Sequence, residues 1–265
     1  MCIVIAFFGV APEAPLLIAA NRDEFFDRPS ERPTRLNPAL NIYGGRDLRG
    51  GGTWLAVRPD GVFAALTNEP PDGPPDPACP TRGELIPQVL SSAKFSEMVA
   101  CMASIDCARY APFNLIVGHA EQLAIMRSQD RNGPQLLPHG IHVLTNGPLN
   151  DRSQPKVRRA HALCEAGLSA GDVWRRLPVI LSDSSDARGQ DSDRVISETG
   201  GFEQALQSIK VVTPFYGSRS SAMLMLRAGK TERYLHGEGP PGEVPMVGYT
   251  DLWQGMDGTS KEQPG

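Results

Sequence analysis

Apolar and polar positions along this chain fall into short blocks, and most of the blocks read as strands. Residues 3–8 form one apolar run and residues 16–20 a second, with Gly9, Pro12, Glu13 and Pro15 between them. Two such runs around a Pro/Gly turn predict a hairpin of buried strands. Residues 28–41, rich in Pro, Asn and Arg, read as loop. Strands are expected at 42–43, 53–57 and 62–66, the last pair joined by the Asp60-Gly61 turn, and a proline-rich loop runs on to Pro80. Two helices follow, because Phe95, Met98, Val99, Met102 and Ile105 recur at helical spacing; Cys101 and Cys107 would share the second. Residues 113–117, 123–126 and 142–144 return to strand.

Pro155 suits the first position of a further helix. Its inner stripe would be Val157, Ala160, Cys164 and Leu168, leaving Lys156, Arg158, Arg159 and His161 on the wet side. Residues 182–200 are polar and read as a flexible loop, and 211–212, 222–226 and 233–235 as closing strands. The tail, 256–265, reads as disordered. Strand runs interleaved with helix pairs predict layered sheets with helices outside them, in one domain spanning 1–265.

Composition narrows the classes. A chain of 265 residues with 40% hydrophobic and 21% charged residues is an ordinary globular sequence. The net charge of −4 and 6% aromatic content offer no electrostatic or stacking case for nucleic acid. No apolar run approaches a membrane span, and the N-terminus lacks the basic start of a signal peptide. Five cysteines without a C-x-x-C pair do not form a secreted disulfide framework, so a reducing, cytoplasmic setting is expected. Oligomeric state is not legible.

The candidate chemistry gathers at the hairpin. The second run ends in Asn21, Arg22, Asp23 and Glu24, and antiparallel pairing would place Cys2 near Arg22 and Asp23. Removal of the initiator would give Cys2 a free α-amine, whose ordinary pKa of about 7.7–8.0 suits a general base. One residue would then hold nucleophile and base together, and a neighbouring Arg22 would favour the thiolate. The plain alternative is that Cys2 is a small buried strand residue, as free cysteines usually are.

Other motifs weigh less. Gly167, Leu168, Ser169, Ala170 and Gly171 fit G-x-S-x-G, with Asp183 or Asp193 and His236 as partners in chain order. A helix precedes this Ser169, whereas a nucleophile elbow needs a strand. The five histidines show no zinc spacing, and a single Cys79-Pro80 dipeptide among 24 prolines carries little.

A family resemblance rests on several motifs in order. They are Met1-Cys2, Asn21-Arg22-Asp23-Glu24-Phe25 with Asp27-Arg28-Pro29, and Gly51-Gly52-Thr53-Trp54-Leu55. Ala65-Leu66-Thr67-Asn68, Leu144-Thr145-Asn146 before Pro155-Lys156-Val157, and Tyr216-Gly217-Ser218-Arg219-Ser220-Ser221 complete the set. With these the chain resembles the NRDE family, known in eukaryotes as the transport and Golgi organisation protein 2 family. That family is similar in turn to N-terminal nucleophile hydrolases of the choloylglycine hydrolase and penicillin V acylase type.

The resemblance implies an α+β fold, a four-layer αββα sandwich. It implies Cys2 as nucleophile, Arg22 and Asp23 tuning it, Asn68 donating to an oxyanion, and Asn146 and Arg219 completing the pocket. The expected reaction is hydrolysis of a small non-peptide amide or thioester through an acyl-Cys2 intermediate. No cofactor is required by it. The alternative it leaves open is a non-catalytic carrier of haem or an acyl lipid on the same fold, since members of the family have been linked to haem trafficking and lipid metabolism. The acylases separate their Asp from the Arg, whereas Arg22 and Asp23 are adjacent and so point to opposite faces of a strand. Whether Asp23 or Glu24 supports the site therefore stays open at this level.

Overall fold

The computed structural model describes residues 2–71, 73, 78–185 and 202–254. Met1, the tail 256–265, most of the 182–200 segment and Asp193 lie outside the described residues. Thirteen strands among the described residues form two antiparallel sheets.

The expected hairpin is the centre of the first sheet. Strands β1 (Cys2–Phe8) and β2 (Leu16–Phe25) pair antiparallel, and Gly9, at φ 65°, turns the chain between them. Only a residue without a Cβ adopts that backbone readily. β10 (Gly140–Leu144) flanks β1, and β11 (Tyr216–Arg227) flanks β2, followed outward by β12 (Lys230–Glu238) and β13 (Val247–Gly248). The second sheet runs in sequence order through β3 (Ser30–Asn37), β4 (Ile42–Asp47), β5 (Leu55–Val57), β6 (Phe63–Asn68), β7 (Phe113–His119), β8 (Gln122–Arg127) and β9 (Gln135–Leu136).

Period-two alternation explains the layering. Val4, Ala6 and Phe8 of β1, with Leu16, Ile18 and Ala20 of β2, meet Tyr43, Leu55, Phe63 and Ile116 of the second sheet in one core. The intervening Ile3, Ile5, Phe7, Leu17 and Ala19 face the opposite way. There they pack on Val157, Ala160 and Cys164 of α3 (Pro155–Ser169) and Val173, Leu177 and Ile180 of α4 (Val173–Leu181). The far face of the second sheet packs on α1 (Leu85–Leu90) and α2 (Phe95–Ala103). Both faces of β1 are covered, which is why its sequence is a continuous apolar run. The order is helix, sheet, sheet, helix.

Several expectations need correction. Residues 30–37 are strand β3 and not loop. This is an edge strand that pairs on one side only, with a register shift between Glu31 and Thr34 that accommodates Pro33. Residues 211–212 make a single bridge, Val212 to Gly217, because Thr213 Oγ1 ties the chain back onto the Tyr216 backbone immediately afterwards. Cys107 lies in a 3-10 turn beyond α2, so it does not share a helix with Cys101. Lys156 and His161 are 4% exposed, not wet, because β1, β2 and β10 cover more of α3 than its apolar stripe marks out. Ser169 ends α3, where its hydroxyl donates to the Glu165 carbonyl, as its helix-ending reading expected.

Candidate active site

The inter-sheet alternation continues past the apolar core. Cys2 is the next inward position after Val4 on β1, and Arg22 the next after Ala20 on β2; the two are register partners. Directly opposed residues of an antiparallel pair share a face, with Cβ atoms about 4.5–5.5 Å apart. Here the core gives way to a cavity of about 510 Å³, lined among others by Cys2, Arg22, Glu24, Trp54, Asn68 and Arg82.

Cys2 is 8% exposed and Arg22 4%. Burial pushes the Cys2 thiol up, and the Asp23 carboxylate adds to this. The charge of the chain's amino group, a hydrogen bond from the Asp23 backbone N–H to the sulfur and the Arg22 cation act in the opposite sense. Burial likewise pulls the Arg22 guanidinium down, while Cys2 and Glu24 oppose it. That guanidinium lies over the Trp54 ring, 4.4 Å from its centroid, a cation–π contact that partly replaces lost hydration. It also donates to Ser30 Oγ at 3.4 Å, and Ser30 Oγ donates to Glu238 Oε1, whose partner oxygen meets His236 Nε2 at 2.9 Å.

Asp23 points to the other face, as adjacency to Arg22 requires. Its Oδ1 accepts from Ser218 Oγ at 2.6 Å, its Oδ2 lies 3.4 Å from Lys156 Nζ, and its carbonyl accepts from Tyr216 Oη at 3.0 Å. Glu24 lines the cavity, accepts from the Phe25 backbone N–H and stands 3.6 Å from Arg28, which is tied mainly to Asp47. The two carboxylates thus divide between helix layer and cavity.

Asn68 ends β6 and lines the cavity. Asn146 follows β10 and is not among the lining residues; its Nδ2 donates to the Asn68 carbonyl, and its Oδ1 is buried with no partner among the described residues. Arg219 sits at the bulge between Ser218 and Ser220 and donates to the carbonyls of Phe25 and Phe26, also away from the lining. The structure therefore brings Cys2, Arg22, Asp23 and Asn68 to one space, Asp23 with its carboxylate turned to the helix side, while Asn146 and Arg219 bond to backbone carbonyls beside those that line it. The Cys79-Pro80 dipeptide lines the same cavity. No group of three or more His, Cys, Asp or Glu among the described residues could hold a metal ion, and no helix among them is long and apolar enough to cross a membrane.

Three participants escaped sequence reasoning. Trp54 was a motif letter without a role. Arg82, in a 3-10 turn (Arg82–Glu84), meets Cys2 only through the fold. Lys156 carried a signal that could have been used, because a lysine in the first turn sits at the end of a helix that repels cations.

Residues 1–236 match the model of the family described as Transport and Golgi organisation 2. The chain belongs to this family. It is 27% identical over 257 residues to the human Transport and Golgi organization protein 2 homolog, covering 86% of this chain and 89% of the relative. It is 36% identical over 163 residues to the mouse homolog, covering 56% and 58%. Among solved structures it is similar to a Caenorhabditis elegans N-acylethanolamine-hydrolyzing acid amidase (NAAA) ortholog. The TM-score is 0.53 and the identity 14%, covering 84% of this chain and 92% of that one. At that identity the likeness carries the fold alone, and the fold is that of the N-terminal nucleophile hydrolases.

Proposed function

We propose that this family member hydrolyses a small non-peptide amide or thioester, with Cys2 as the nucleophile. What supports the reading is that Cys2 ends a central strand inside a cavity, with the Arg22 guanidinium opposite it in register and Asn68 on the same wall. Removal of Met1 frees the Cys2 amine. The amine takes the thiol proton, the thiolate attacks the substrate carbonyl, and the resulting oxyanion is met by Asn68. Collapse breaks the C–N or C–S bond and the ammonium returns the proton to the leaving group. Water, deprotonated by the amine, then releases the acid from acyl-Cys2.

The test is a screen of amides and thioesters by mass spectrometry, reading both turnover and an acyl adduct on Cys2. Cys2→Ala is expected to abolish turnover. Asn68→Ala is expected to lower kcat by about 10²–10³, the effect of losing one oxyanion donor. Turnover that survives Cys2→Ala, or an active chain that keeps Met1, overturns the proposal.

One observation favours a second reading, a non-catalytic carrier: Cys79 lines the same cavity as Cys2. If haem is the cargo, a Soret titration responds to Cys79→Ala and not to Cys2→Ala. An acyl-lipid cargo instead binds without turnover in either variant.

A further inference from the structure

Behind Cys2, on the helix side of the sheet, lies an ion pair that neither stability nor helix formation explains. The Lys156 side chain is 4% exposed and that of Asp23 is fully buried, with Nζ 3.4 Å from Oδ2. Lys156 is in the first turn of α3, next to Pro155, and no acidic residue of that turn offsets it. A cation is disfavoured at this end of a helix, and a buried ion pair is often replaceable by apolar residues at little cost. Asp23 is held on all sides. Ser218 Oγ bonds one carboxylate oxygen, Lys156 the other, and Tyr216 Oη the carbonyl, while the backbone N–H reaches the Cys2 sulfur.

The loop that delivers Lys156 also serves the opposite wall. Thr145 Oγ1 donates to Gln154 Oε1 at 2.9 Å, just before the helix starts, and the intervening Asn146 donates to the Asn68 carbonyl. Residues 145–156 thereby tie the nucleophile strand and β6 together from outside the cavity.

We propose that Lys156 is a positioning residue for Cys2: its ammonium clamps Asp23 beneath the sulfur and cancels a carboxylate that otherwise stands next to the developing thiolate. Its catalytic meaning rests on Cys2 being the nucleophile, but the clamp itself is read on the thiol without any turnover. The charged groups facing Cys2 are the amino group at the start of the chain, common to every variant, Asp23 and Arg22 from β2, and Arg82 from the turn after β6. Removing the Lys156 charge leaves Asp23 uncompensated and disfavours the thiolate; removing the Asp23 charge leaves Lys156 and favours it.

The experiment is alkylation of Cys2 by iodoacetamide as a function of pH, followed by peptide mass so that the other four cysteines do not interfere. In it the thiolate forms a C–S bond, iodide leaves, and the thiol proton goes to solvent. Lys156→Met and the milder Lys156→Gln are expected to move the profile to higher pH and slow labelling at neutral pH about three- to tenfold. Asp23→Asn is expected to move it to lower pH. Lys156→Arg should restore the profile of the unaltered chain, and Asp23→Asn with Lys156→Met together should fall between the single variants. Folding is checked for each by circular dichroism and thermal melting. A merely structural role predicts shifts of one sign for every variant. That result, or a folded single-charge variant whose profile coincides with that of the unaltered chain, overturns the proposal. Opposite shifts in a chain that turns over no amide or thioester would uphold the clamp and count against the hydrolase.

Discussion

The two helical layers pack on their sheets with different chemistry. α1 and α2 bury Leu85, Ile86, Val89, Leu90, Phe95, Met98 and Met102 against the second sheet, all of them apolar. α3 and α4 bury Val157, Ala160, Cys164 and Leu177 against the first sheet, but also Lys156 and His161. On that side Asn21 Nδ2 reaches out of β2 to the Leu181 and Ile209 carbonyls at 2.8 and 3.0 Å. Apolar packing is non-directional, so the first layer fixes the distance between helix and sheet. Hydrogen bonds and ion pairs are directional, so the second also fixes where individual backbone atoms of β2 stand. Cys2 is on the sheet that carries the directional layer. The difference teaches that orientation around the thiol is set from behind, through the sheet.

The comparison breaks most easily at its largest expected effects. Met98→Ala removes a fully buried side chain from the apolar layer and should cost about 2–5 kcal/mol of unfolding free energy in urea melts. Iodoacetamide labelling of Cys2 in that folded variant is expected to be unchanged. Asn21→Ala should cost less, about 1–3 kcal/mol, by leaving the Leu181 and Ile209 carbonyls and the Ser221 hydroxyl short of a partner. Because Asn21 precedes Arg22 and pairs with Ile3, this variant is expected to change the Cys2 labelling rate. If Met98→Ala disturbs Cys2 as much as Asn21→Ala does, the layers do not differ in kind.

Much of this architecture was legible along the chain. The runs at 3–8 and 16–20 predict the central hairpin because both faces of those strands are covered, and antiparallel pairing alone puts Cys2 near Arg22; the exact register came from the structure. The NRDE-family motifs anticipated the family and the αββα layering. What local pattern missed depends on the fold. A helical wheel assigns Lys156 and His161 to water, since a polar residue beside an apolar stripe carries no mark of its tertiary partner; Asp23 lies 133 positions away. The same limit hid β3, whose Arg-, Pro- and Asn-rich segment is strand only because an edge tolerates it. Adjacency of Arg22 and Asp23 did predict opposite faces. Which face would meet the helices needed the structure.

The smallest effect sharpens the contrast through pH. His142 on β10 and His161 on α3 are joined by Asn150: His161 Nε2 meets Asn150 Oδ1 at 3.1 Å, and Asn150 Nδ2 meets His142 Nδ1 at 3.3 Å. His142 Nε2 lies 2.8 Å from the Pro138 carbonyl. Burial holds both imidazoles below their ordinary pKa; Arg152 pushes His161 further down while Glu165 opposes it. A group with a depressed folded pKa is protonated more readily in the unfolded chain. Its contribution is therefore complete above the unfolded value of about 6.5 and is lost as pH falls from there through the folded value. The buried residues of the other helix layer include no histidine. Between pH 6.5 and 5 the melting temperature should consequently fall, while the Asp47 and Glu238 carboxylates, held below their ordinary range by Arg28 and His236 against the effect of burial, lose their contribution at lower pH. His161→Gln, which keeps a donor toward Asn150 and removes the proton site, should flatten that slope and leave the melting temperature at pH 8 nearly unchanged. Parallel slopes for the variant and the unaltered chain would assign the acid sensitivity elsewhere and remove this distinction between the two layers.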